Sequence, residues 1–568
     1  MSKLLAVIVL ATLIVPRTGS SVAAQELGAP ARLEERGVPD CRDVPSVGRL
    51  RSLTACRSDR AIPGAPDNTL RTVLRSVGER VLWNRQLLGP DPEGSAERVV
   101  RQQTGTCLGP GIADGLVLAP RVADLLSTEG FARGLVVGET AVRLEPTRGE
   151  EQHEGGFASV RIVPSSDQAL TPTELLTAIE EVREQLLEAA RGGIGDSIDP
   201  AWIEPNWVFS LSRLESPRPD HHASSTHAYE LIGLPSPGGG PQVEIPRLHP
   251  VALIDSGVNR IEGELTEVQS FERTLGGWSG LPSPPLSKLD ATGHGTALGA
   301  LIAAADDALA PAPPLGIRGL SPGTSLLSYR TSMGEEVLVA GDVASSAIRH
   351  AVDQGAKIIL LAMNHDCAAR NVYEALASAI GSGVLVVSSA GNHARSLSQR
   401  PSYPASFAAP PAERAGWTVQ PGDWFADPDV PELPLLNVAA SHAEPCAHSP
   451  GVPCYTDLLA DSSNFSIAEG SVHLAAPGVD IRTLQYDELH GSSLLQVSGT
   501  SIAAAMVAGA AAHVWDRSSP CDAAQIRRAL IDTGDSLADA DPAPTHRAGP
   551  ARRLNVANAL AALQEACP

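Results

Sequence analysis

The chain has 568 residues, with 43 basic and 65 acidic side chains and a formal net charge of −22. This length predicts roughly two to four domains, and 43% apolar with 19% charged residues excludes disorder throughout the chain. The acidic balance argues against nucleic acid or an anionic membrane as a partner, because both are bound by clustered cations.

The first residues have the pattern of a targeting signal. Lys3 precedes the largely apolar run Leu4–Val15, and small residues lead up to Ala24. This pattern predicts a secretory signal peptide over residues 1–24, cleaved after Ala24. The alternative is a short buried core helix, since the run is shorter than the about 20 residues that span a bilayer. We therefore expect a secreted protein, extracellular or periplasmic, without a membrane span.

Eight cysteines are present and none forms a CxxC pair, which argues against a zinc knuckle or a thioredoxin-like motif. In an oxidising compartment an even number of cysteines favours disulfides. The predicted pairs are Cys41–Cys56, Cys446–Cys454, Cys521–Cys567 and, by elimination only, Cys107–Cys367. The alternative is that one or two cysteines remain free thiols.

The upstream third of the chain divides into an extension and a small folded unit. Residues 25–95 are rich in Pro, Gly and Arg, and only a helix around Leu70–Leu88 is predicted there. Residues 96–212 form a predicted α+β unit with strands at Leu135–Leu144, Ala158–Val163 and Trp202–Ser210.

The helix of this unit has clear boundaries. Thr171 is its predicted N-cap, Pro172 occupies N1 and Glu174 completes a capping box at N3. Apolar residues follow at helical spacing, and the pair Gly192-Gly193 is predicted to end the helix.

A linker rich in Pro, Gly, His and Ser follows at 213–247. Its residues Asp220, His221, His222 and His227 include metal-ligating types, but their spacing matches no closed site. A solvated linker is the favoured interpretation.

Residues 248–568 alternate apolar strands with helices, which is typical of a parallel sheet covered by helices on both faces. Helices are predicted at 343–354 and 371–382. The predicted strands are Val251–Ile254, Leu326–Arg330, Ile358–Leu361, Val384–Val387 and Leu435–Ala439. The Ala-rich stretch 503–513 is predicted to be a central helix whose small side chains allow close packing.

Three motifs in this region supply the groups of an activated serine. Asp255 follows a buried strand, His294 begins an apolar helix within Gly-His-Gly-Thr, and Ser501 begins the Ala-rich helix within Gly-Thr-Ser. Each motif alone is equally compatible with a structural role. Together they provide a nucleophile, a base and an orienting carboxylate, which hydrolysis by an activated serine requires.

A fourth motif adds a hydrogen-bond donor. Asn392 follows the strand Val384–Val387 in the context Ser-Ser-Ala-Gly-Asn. Its amide and the backbone N–H of Ser501 are candidate donors to an oxyanion. Taken alone, an Asn in this position is more often a turn residue.

These four contexts, in the order Asp, His, Asn, Ser, resemble the subtilisin-like serine proteases (subtilases). The order differs from that of chymotrypsin-like enzymes and of α/β-hydrolases. The resemblance covers about 248–566 and includes Gly319–Gly323, Tyr403–Ala405, Ser463–Phe465, Ala475–Val479 and Arg553–Val556. It implies a three-layer α/β/α fold with a mainly parallel sheet, triad roles for Asp255, His294 and Ser501, and an oxyanion role for Asn392.

The upstream unit resembles the inhibitory propeptide of the same family. The segment Trp202–Trp207 is similar to the terminal strand by which such propeptides dock onto the enzyme. The alternative is an unrelated α/β domain. The resemblance thus implies a propeptide-like α+β domain at 96–212 and a catalytic domain at 248–568.

The chain departs from the family pattern at two places. Ala505 stands where the family usually has Pro, and Leu361–Asn364 replaces the usual Ser-Leu-Gly substrate-binding segment. Residues 408–434 have the character of an insertion. The resemblance implies that no cofactor is required for the chemistry, and no residue set can be assigned to structural calcium.

The sequence therefore predicts a secreted, monomeric serine endopeptidase that is made as a proenzyme and acts on protein or peptide substrates. Two alternatives stay open. One is a catalytically silent subtilase fold that serves as a secreted binding protein, and the other is an esterase using the same triad.

Overall fold

In the computed structural model, all described residues fall within one unit, Pro66–Pro568. The predicted signal peptide, the pairs Cys41–Cys56 and Cys446–Cys454, Cys107, Thr171, Asp220, His221 and His222 lie outside the described residues. The structure describes residues 81–83, 110–119, 122, 135–146, 157–166, 170, 172–194, 203–211, 225–234, 247–274, 277–280, 290, 292–306, 317–332, 338–417, 424–445, 455–466, 470–487, 491–518, 520–537 and 552–567.

The strands of the described part are β1 (Val81–Trp83), β2 (Pro110–Leu118), β3 (Val136–Val137), β4 (Thr140–Pro146), β5 (Ala158–Pro164), β6 (Ile203–Leu211), β7 (Val251–Asp255), β8 (Val268–Thr274), β9 (Gly277–Gly280), β10 (Leu326–Arg330), β11 (Leu338–Ala340), β12 (Ile358–Leu361), β13 (Met363–Asn364), β14 (Leu385–Ser389), β15 (Leu436–Pro445), β16 (Tyr455–Leu459), β17 (Leu474–Pro477), β18 (Ile481–Asp487), β19 (Gly491–Val497), β20 (Asp535–Ser536) and β21 (Arg552–Arg553).

The α-helices of the same residues are α1 (Pro172–Ile194), α2 (Ser225–Leu231), α3 (His294–Ala303), α4 (Gly341–Asp353), α5 (Arg370–Gly381), α6 (Pro411–Arg414), α7 (Thr500–Arg517), α8 (Ala523–Asp532) and α9 (Val556–Ala566). Short 3₁₀ turns lie at Ala405–Ala408 and Trp424–Ala426.

A large, mainly parallel sheet forms the centre of the downstream region. Its strand order is β20-β21-β17-β15-β14-β12-β7-β10-β8-β9, with β16 paired to β15. All pairs from β21 to β8 in this order are parallel, whereas β9, β16 and β20 are antiparallel additions. The predicted parallel sheet is therefore confirmed.

Helices cover both faces of this sheet, because successive residues of each strand point to opposite sides. Val251 and Leu253 of β7 lie in one apolar cluster with α3 and α7. Ala252 and Ile254 of the same strand lie in a second cluster with α4 and α5. The result is the three-layer α/β/α arrangement that the resemblance implied.

Helix α7 lies at the centre of the first cluster and is buried along nearly its whole length. Its small residues bring it close to α3: a Cβ added at Gly509 would lie 3.2 Å from the Cα of Ile302. The prediction of a central helix with small side chains is confirmed.

The upstream strands form a second sheet, in the order β11-β6-β2-β5-β4-β3, with β1 on β2 and β13 on β6. Helix α1 covers it, with Val182 and Leu186 in one apolar cluster with Leu116 and Ile162. Two strands of this sheet, β11 and β13, come from the downstream region, so β6 joins the two parts of the chain.

Three details differ from the sequence predictions. The strand predicted at Leu135–Leu144 is a hairpin, β3 and β4, because Gly138 takes φ 57° and turns the chain. Helix α1 continues through Gly192-Gly193 to Ile194. Within the helix predicted around Leu70–Leu88, residues Val81–Trp83 are instead a strand paired with β2.

One predicted disulfide is present between described residues. Cys521 and Cys567 are bonded with their Cα atoms 5.6 Å apart, which ties α9 to the segment between α7 and α8. Cys367 is also disulfide-bonded. Its pairing with Cys107 stays a prediction.

Candidate active site

Asp255, the candidate orienting carboxylate, is the last residue of β7 and is fully buried. Its Oδ1 lies 2.7 Å from Nδ1 of His294 and accepts a hydrogen bond from the backbone N–H of Ser256, also at 2.7 Å. The carboxyl ends of parallel strands meet at one edge of a sheet, which is where ligand sites of such folds lie.

His294, the candidate base, is the first residue of α3 and is only 2% exposed. Because the carboxylate of Asp255 can only accept, Nδ1 carries the proton of this hydrogen bond and Nε2 is the nitrogen left for proton transfer. Residue 295 must be glycine, since a Cβ there would overlap the carbonyl oxygen of Gly257. The segment that follows β7 and the start of α3 can therefore approach closely enough for the hydrogen bond between Asp255 and His294 to form.

Ser501, the candidate nucleophile, is the second residue of α7 and lies at its N-terminus. Its hydroxyl is buried and has no hydrogen-bond partner among the described residues. The N-terminal end of a helix carries free N–H groups and a positive partial charge, so it favours a developing negative charge.

Asn392, the candidate oxyanion donor, is held by Thr500, the residue that precedes Ser501. Its Oδ1 accepts hydrogen bonds from the backbone N–H of Thr500 at 2.9 Å and from the Thr500 hydroxyl at 2.7 Å. Because the oxygen is occupied by two donors, the amide is oriented with its NH₂ group directed away from Thr500. The Asn392 side chain is thus held against Thr500, the residue before Ser501.

Asn464 clamps the loop that carries Asn392. Its Oδ1 accepts from the backbone N–H groups of His393 and Arg395, and its Nδ2 donates to the carbonyl of Ala390 at 2.8 Å. Gly391 takes φ 99°, and a Cβ there would lie 2.6 Å from Nδ2 of Asn464. The loop therefore requires glycine at 391 and the asparagine clamp together.

A charged cluster joins this loop to the segment that follows β13. Arg395 lies 2.7 Å from Asp366, and Arg400 lies 3.0 Å from its other oxygen. Burial alone would raise the pKa of Asp366, but the two guanidinium groups outweigh it and lower the pKa to about 2. Burial, followed by the charge of Arg395, also lowers the pKa of His393.

Strand β6 of the upstream region lies between two strands of the downstream region, β11 and β13. The end of β6 pairs antiparallel with β11, where Phe209 is opposite Val339, and with β13, where Leu211 is opposite Met363. Phe209 is fully buried. Within the atypical segment Leu361–Asn364, Met363 and Asn364 therefore form backbone pairs with β6.

Residues of β6 also cap two helices of the downstream region. Glu204 accepts a hydrogen bond from the backbone N–H of Arg370, the first residue of α5, at 2.8 Å. Asn206 exchanges two hydrogen bonds with Asp342 near the start of α4, donating from Nδ2 at 2.8 Å and accepting at 3.1 Å. Both contacts satisfy polar groups at helix N-termini.

The structure thus brings Asp255 into contact with His294 and places Asn392 against the residue before Ser501. Three residues that hold the candidate site in place were not predicted from the sequence. They are Thr500, Asn464 and Asp290, whose buried carboxylate lies beside α3. Thr500 was next to a predicted residue, and Asn464 stood in a recognised motif, but neither sequence context indicated its partner.

Within the described ranges, no group of three or more His, Cys, Asp or Glu residues is arranged to hold a metal ion. Of the helices assigned to those residues, none has the length and apolar character needed to cross a membrane.

Comparison with known proteins gives a consistent result. A sequence profile of the Subtilase family matches residues 250–550. The chain is 26% identical over 303 residues to Subtilisin BL of Lederbergia lenta, covering 53% of this chain and 92% of the relative. It is 28% identical over 306 residues to Subtilisin Savinase of the same organism, with coverages of 53% and 92%.

A further relative and a solved structure extend the comparison. Thermitase of Thermoactinomyces vulgaris is 26% identical over 289 residues, covering 50% of this chain and 81% of the relative. Fervidolysin from Fervidobacterium pennivorans, described as a keratinolytic enzyme related to subtilisin, superposes with a TM-score of 0.53 at 17% identity. The match covers 79% of this chain and 61% of fervidolysin, and it shows the shared fold.

A three-layer α/β/α fold with this match is that of a subtilisin-like hydrolase of peptide bonds. The chain belongs to the Subtilase family, since the family profile spans more than half of it. It is a serine-type endopeptidase that acts on peptides, and the chemistry of this family needs no cofactor.

Proposed function

We propose that the chain is a secreted subtilase made as a proenzyme, in which Asp255, His294 and Ser501 form the catalytic triad and Asn392 is an oxyanion donor. The observation that carries the proposal is the 2.7 Å contact between Asp255 Oδ1 and His294 Nδ1. It ties a buried carboxylate to the imidazole of His294 and fixes which ring nitrogen faces that carboxylate.

In the proposed reaction, Nε2 of His294 takes the proton of Ser501 while Oγ attacks the carbonyl carbon of the substrate. Asp255 holds the imidazole in the required tautomer and stabilises the imidazolium that forms. The oxyanion of the tetrahedral intermediate accepts hydrogen bonds from Nδ2 of Asn392 and from the backbone N–H of Ser501.

The intermediate then collapses. His294 gives its proton to the leaving nitrogen, the C–N bond breaks, and the acyl group remains esterified to Ser501. A water molecule attacks this ester while His294 takes one of its protons. Return of that proton to Ser501 Oγ frees the serine and releases the carboxylic acid product.

We further propose that residues 1–24 are a signal peptide, 25–95 an extension, 96–212 an inhibitory propeptide, 213–247 a linker and 248–568 the catalytic domain of a monomer. Support for the propeptide comes from β6, which fills the space between β11 and β13 in the manner of an extended substrate. An enzyme in this state is inactive until the strand is cut and leaves.

The test is to express the full chain as wild type and as Ser501→Ala. The wild type should be shortened by a cut between about Ser210 and Arg247, and N-terminal sequencing locates it. The variant should remain intact from Gln25, because the cut is made by Ser501 itself. Ser518→Ala, which removes a buried hydroxyl at the opposite end of α7, is the matched control and should be processed normally.

Gels run with and without reductant add a second readout. If Cys107 pairs with Cys367, the cut fragments separate only after reduction. Identical processing of the wild type and Ser501→Ala would show that Ser501 does not make the cut, and a wild type that is fully active while uncut would remove the propeptide assignment.

A further inference from the structure

The first turn of α3, which carries His294, is held by side chains from outside the helix. Its N-cap, Gly293, has φ 78° and provides no side-chain hydrogen bond. The carboxylate of Asp290 does so instead: Oδ1 accepts from the backbone N–H of Gly293 at 2.8 Å, and Oδ2 accepts from that of Thr296 at 2.7 Å. Asp290 is only 5% exposed, so these donors replace its lost contact with water.

The other two backbone N–H groups of this turn, those of His294 and Gly295, donate to hydroxyls that are themselves hydrogen-bonded to Asp290. His294 N–H donates to Thr292 Oγ1 at 3.2 Å, and Gly295 N–H donates to Ser256 Oγ at 3.0 Å. Ser256 Oγ lies 2.8 Å from Asp290 Oδ1, and Thr292 donates to the same oxygen through its N–H and its hydroxyl, both at 3.1 Å. All four donors of the turn therefore depend, directly or through one hydroxyl, on one carboxylate.

Ser256 connects this carboxylate to Asp255 as well. The Ser256 hydroxyl lies 3.0 Å from Asp255 Oδ1, the oxygen that meets Nδ1 of His294, and 2.8 Å from Asp290 Oδ1. A hydroxyl has one proton, so it donates to one of the two carboxylates at a time. The shorter contact favours Asp290, which leaves Asp255 Oδ1 to the imidazole and to the backbone N–H of Ser256.

Asp290 is itself anchored to the strand side of the site. Its backbone N–H and carbonyl are hydrogen-bonded to the Asn259 side chain at 3.2 and 3.3 Å. Asn259 N–H in turn donates to Thr296 Oγ1 on α3 at 2.9 Å. Asp290 thus connects the segment that follows β7 to the start of α3.

We propose that Asp290 is a positioning residue for the reaction: it holds His294 and Asp255 in register with each other, with Ser256 as the link. This inference rests on the proposed triad and adds a second buried carboxylate, which acts through the backbone of α3 and the hydroxyl of Ser256. A misplacement of reacting groups by about 1 Å lowers the rate on the order of 10²-fold. Loss of the connection that Asp290 makes between β7 and α3 should therefore lower kcat.

The test uses the full chain carrying Asp290→Ala, Ser256→Ala or both, with kcat expressed per titrated active site. Asp290→Ala should lower kcat roughly 10- to 100-fold and leave KM within about twofold, because the substrate cleft is unchanged. Ser256→Ala should lose less. The double variant should lose little more than Asp290→Ala, because the two groups act as one unit.

A matched control separates positioning from helix capping. Asp522 caps α8 through the backbone N–H of Gln525 at 2.8 Å, so Asp522→Ala removes a comparable cap from another helix. It should lower stability and leave kcat unchanged. The far-downfield proton signal of the His294–Asp255 hydrogen bond should shift or broaden in Asp290→Ala and stay unchanged in Asp522→Ala.

Equal kcat values for Asp290→Ala and Asp522→Ala, or strictly additive losses in the double variant, would overturn the inference. Should Asp290→Ala fail to fold, Ser256→Ala decides, and an unchanged proton signal with wild-type kcat there contradicts it. Full activity of Ser501→Ala would instead remove the proposed function. A neutral Asp290→Ala beside an inactive Ser501→Ala removes only this inference.

Discussion

At the scale of single residues, the orientation of the Asn392 amide depends on Thr500. Two donors from Thr500 occupy Oδ1, so in the proposed mechanism Nδ2 is already oriented when the oxyanion forms. The backbone position is set by Asn464, so three residues from distant parts of the chain determine one donor.

Asn392→Ala should lower kcat by about 10²–10³-fold, the range found when a subtilisin loses one such donor. KM should change little, because the donor acts on the transition state. The measurement is steady-state hydrolysis of a peptide substrate by the processed enzyme. Asn371→Ala, which removes a buried amide from α5, is the control and should keep its turnover. Near-normal turnover of Asn392→Ala would exclude Asn392 from the site.

The candidate catalytic residues could be predicted because each stands in a short, distinctive context. Asp290, Thr500 and Asn464 could not be predicted in the same way. Each of them contacts a residue that is distant in the sequence. Asp290 and Ser256 are 34 positions apart, Thr500 and Asn392 are 108 apart, and Asn464 and Ala390 are 74 apart. Such partnerships are fixed by the fold, and the residue types involved are also common turn and cap formers.

At the scale of elements, β6 is held by backbone pairing and by its contacts with two helix N-termini. Glu204 caps α5 and Asn206 caps α4, so the strand both pairs with β11 and β13 and satisfies backbone donors at the start of two downstream helices. We therefore expect β6 to be among the slower-exchanging strands of the uncut protein.

Replacing both Glu204 and Asn206 by Ala in the Ser501→Ala background should speed hydrogen exchange of the β6 amides by about tenfold or more. Each lost cap costs about 1 kcal/mol, and the cost falls on local opening of the strand. Exchange mass spectrometry of the intact chain measures this rate. Glu188→Ala, an exposed residue of α1, is the control. Unchanged exchange in the double variant would show that pairing with β11 and β13 alone holds the strand.

Strands with continuous apolar sequence were predicted well. The predicted Ile358–Leu361 is β12 without change, and Leu326–Arg330 is β10. The hairpin of β18 and β19 was not predicted, since its residues mix polar and apolar types without a clear period. The resemblance implied that this strand docks onto the downstream region, but its register against β11 and β13 could not be predicted, because pairing across more than a hundred residues is set in three dimensions.

At the scale of the whole molecule, a buried histidine makes stability depend on pH. His513 on α7 is 5% exposed and its Nδ1 lies 2.8 Å from the carbonyl of Leu320. Burial, with the charge of Arg517 adding to it, lowers the pKa of His513 to about 3. The unfolded chain gains this proton as pH falls through about 6.5, whereas the folded chain does not.

The contribution of His513 is therefore fully retained above about pH 6.5 and is lost as pH falls from there toward about 3. At about pH 5 the loss should be about 2 kcal/mol in the free energy of unfolding. His513→Asn keeps a donor for Leu320 and removes the titration, so its stability should fall less between about pH 7 and pH 5. Denaturant unfolding in the Ser501→Ala background measures the free energy of unfolding with His513 present and with His513→Asn. Equal losses of stability in the two proteins would contradict this account.

The central claim is that Ser501 is a nucleophile activated by His294. The most direct measurement is reaction of the processed enzyme with a fluorophosphonate probe, followed by mass spectrometry of the labelled peptide. Variants that cannot cut themselves are first cut between residues 213 and 247 by an added metalloprotease, which the probe does not label, and the upstream fragment is removed. We expect stoichiometric label on Ser501, none in Ser501→Ala, and labelling slowed by at least about 10²-fold in His294→Ala, since the general base is lost. Label on another serine, or a folded and processed enzyme in which Ser501 does not react, would contradict the claim.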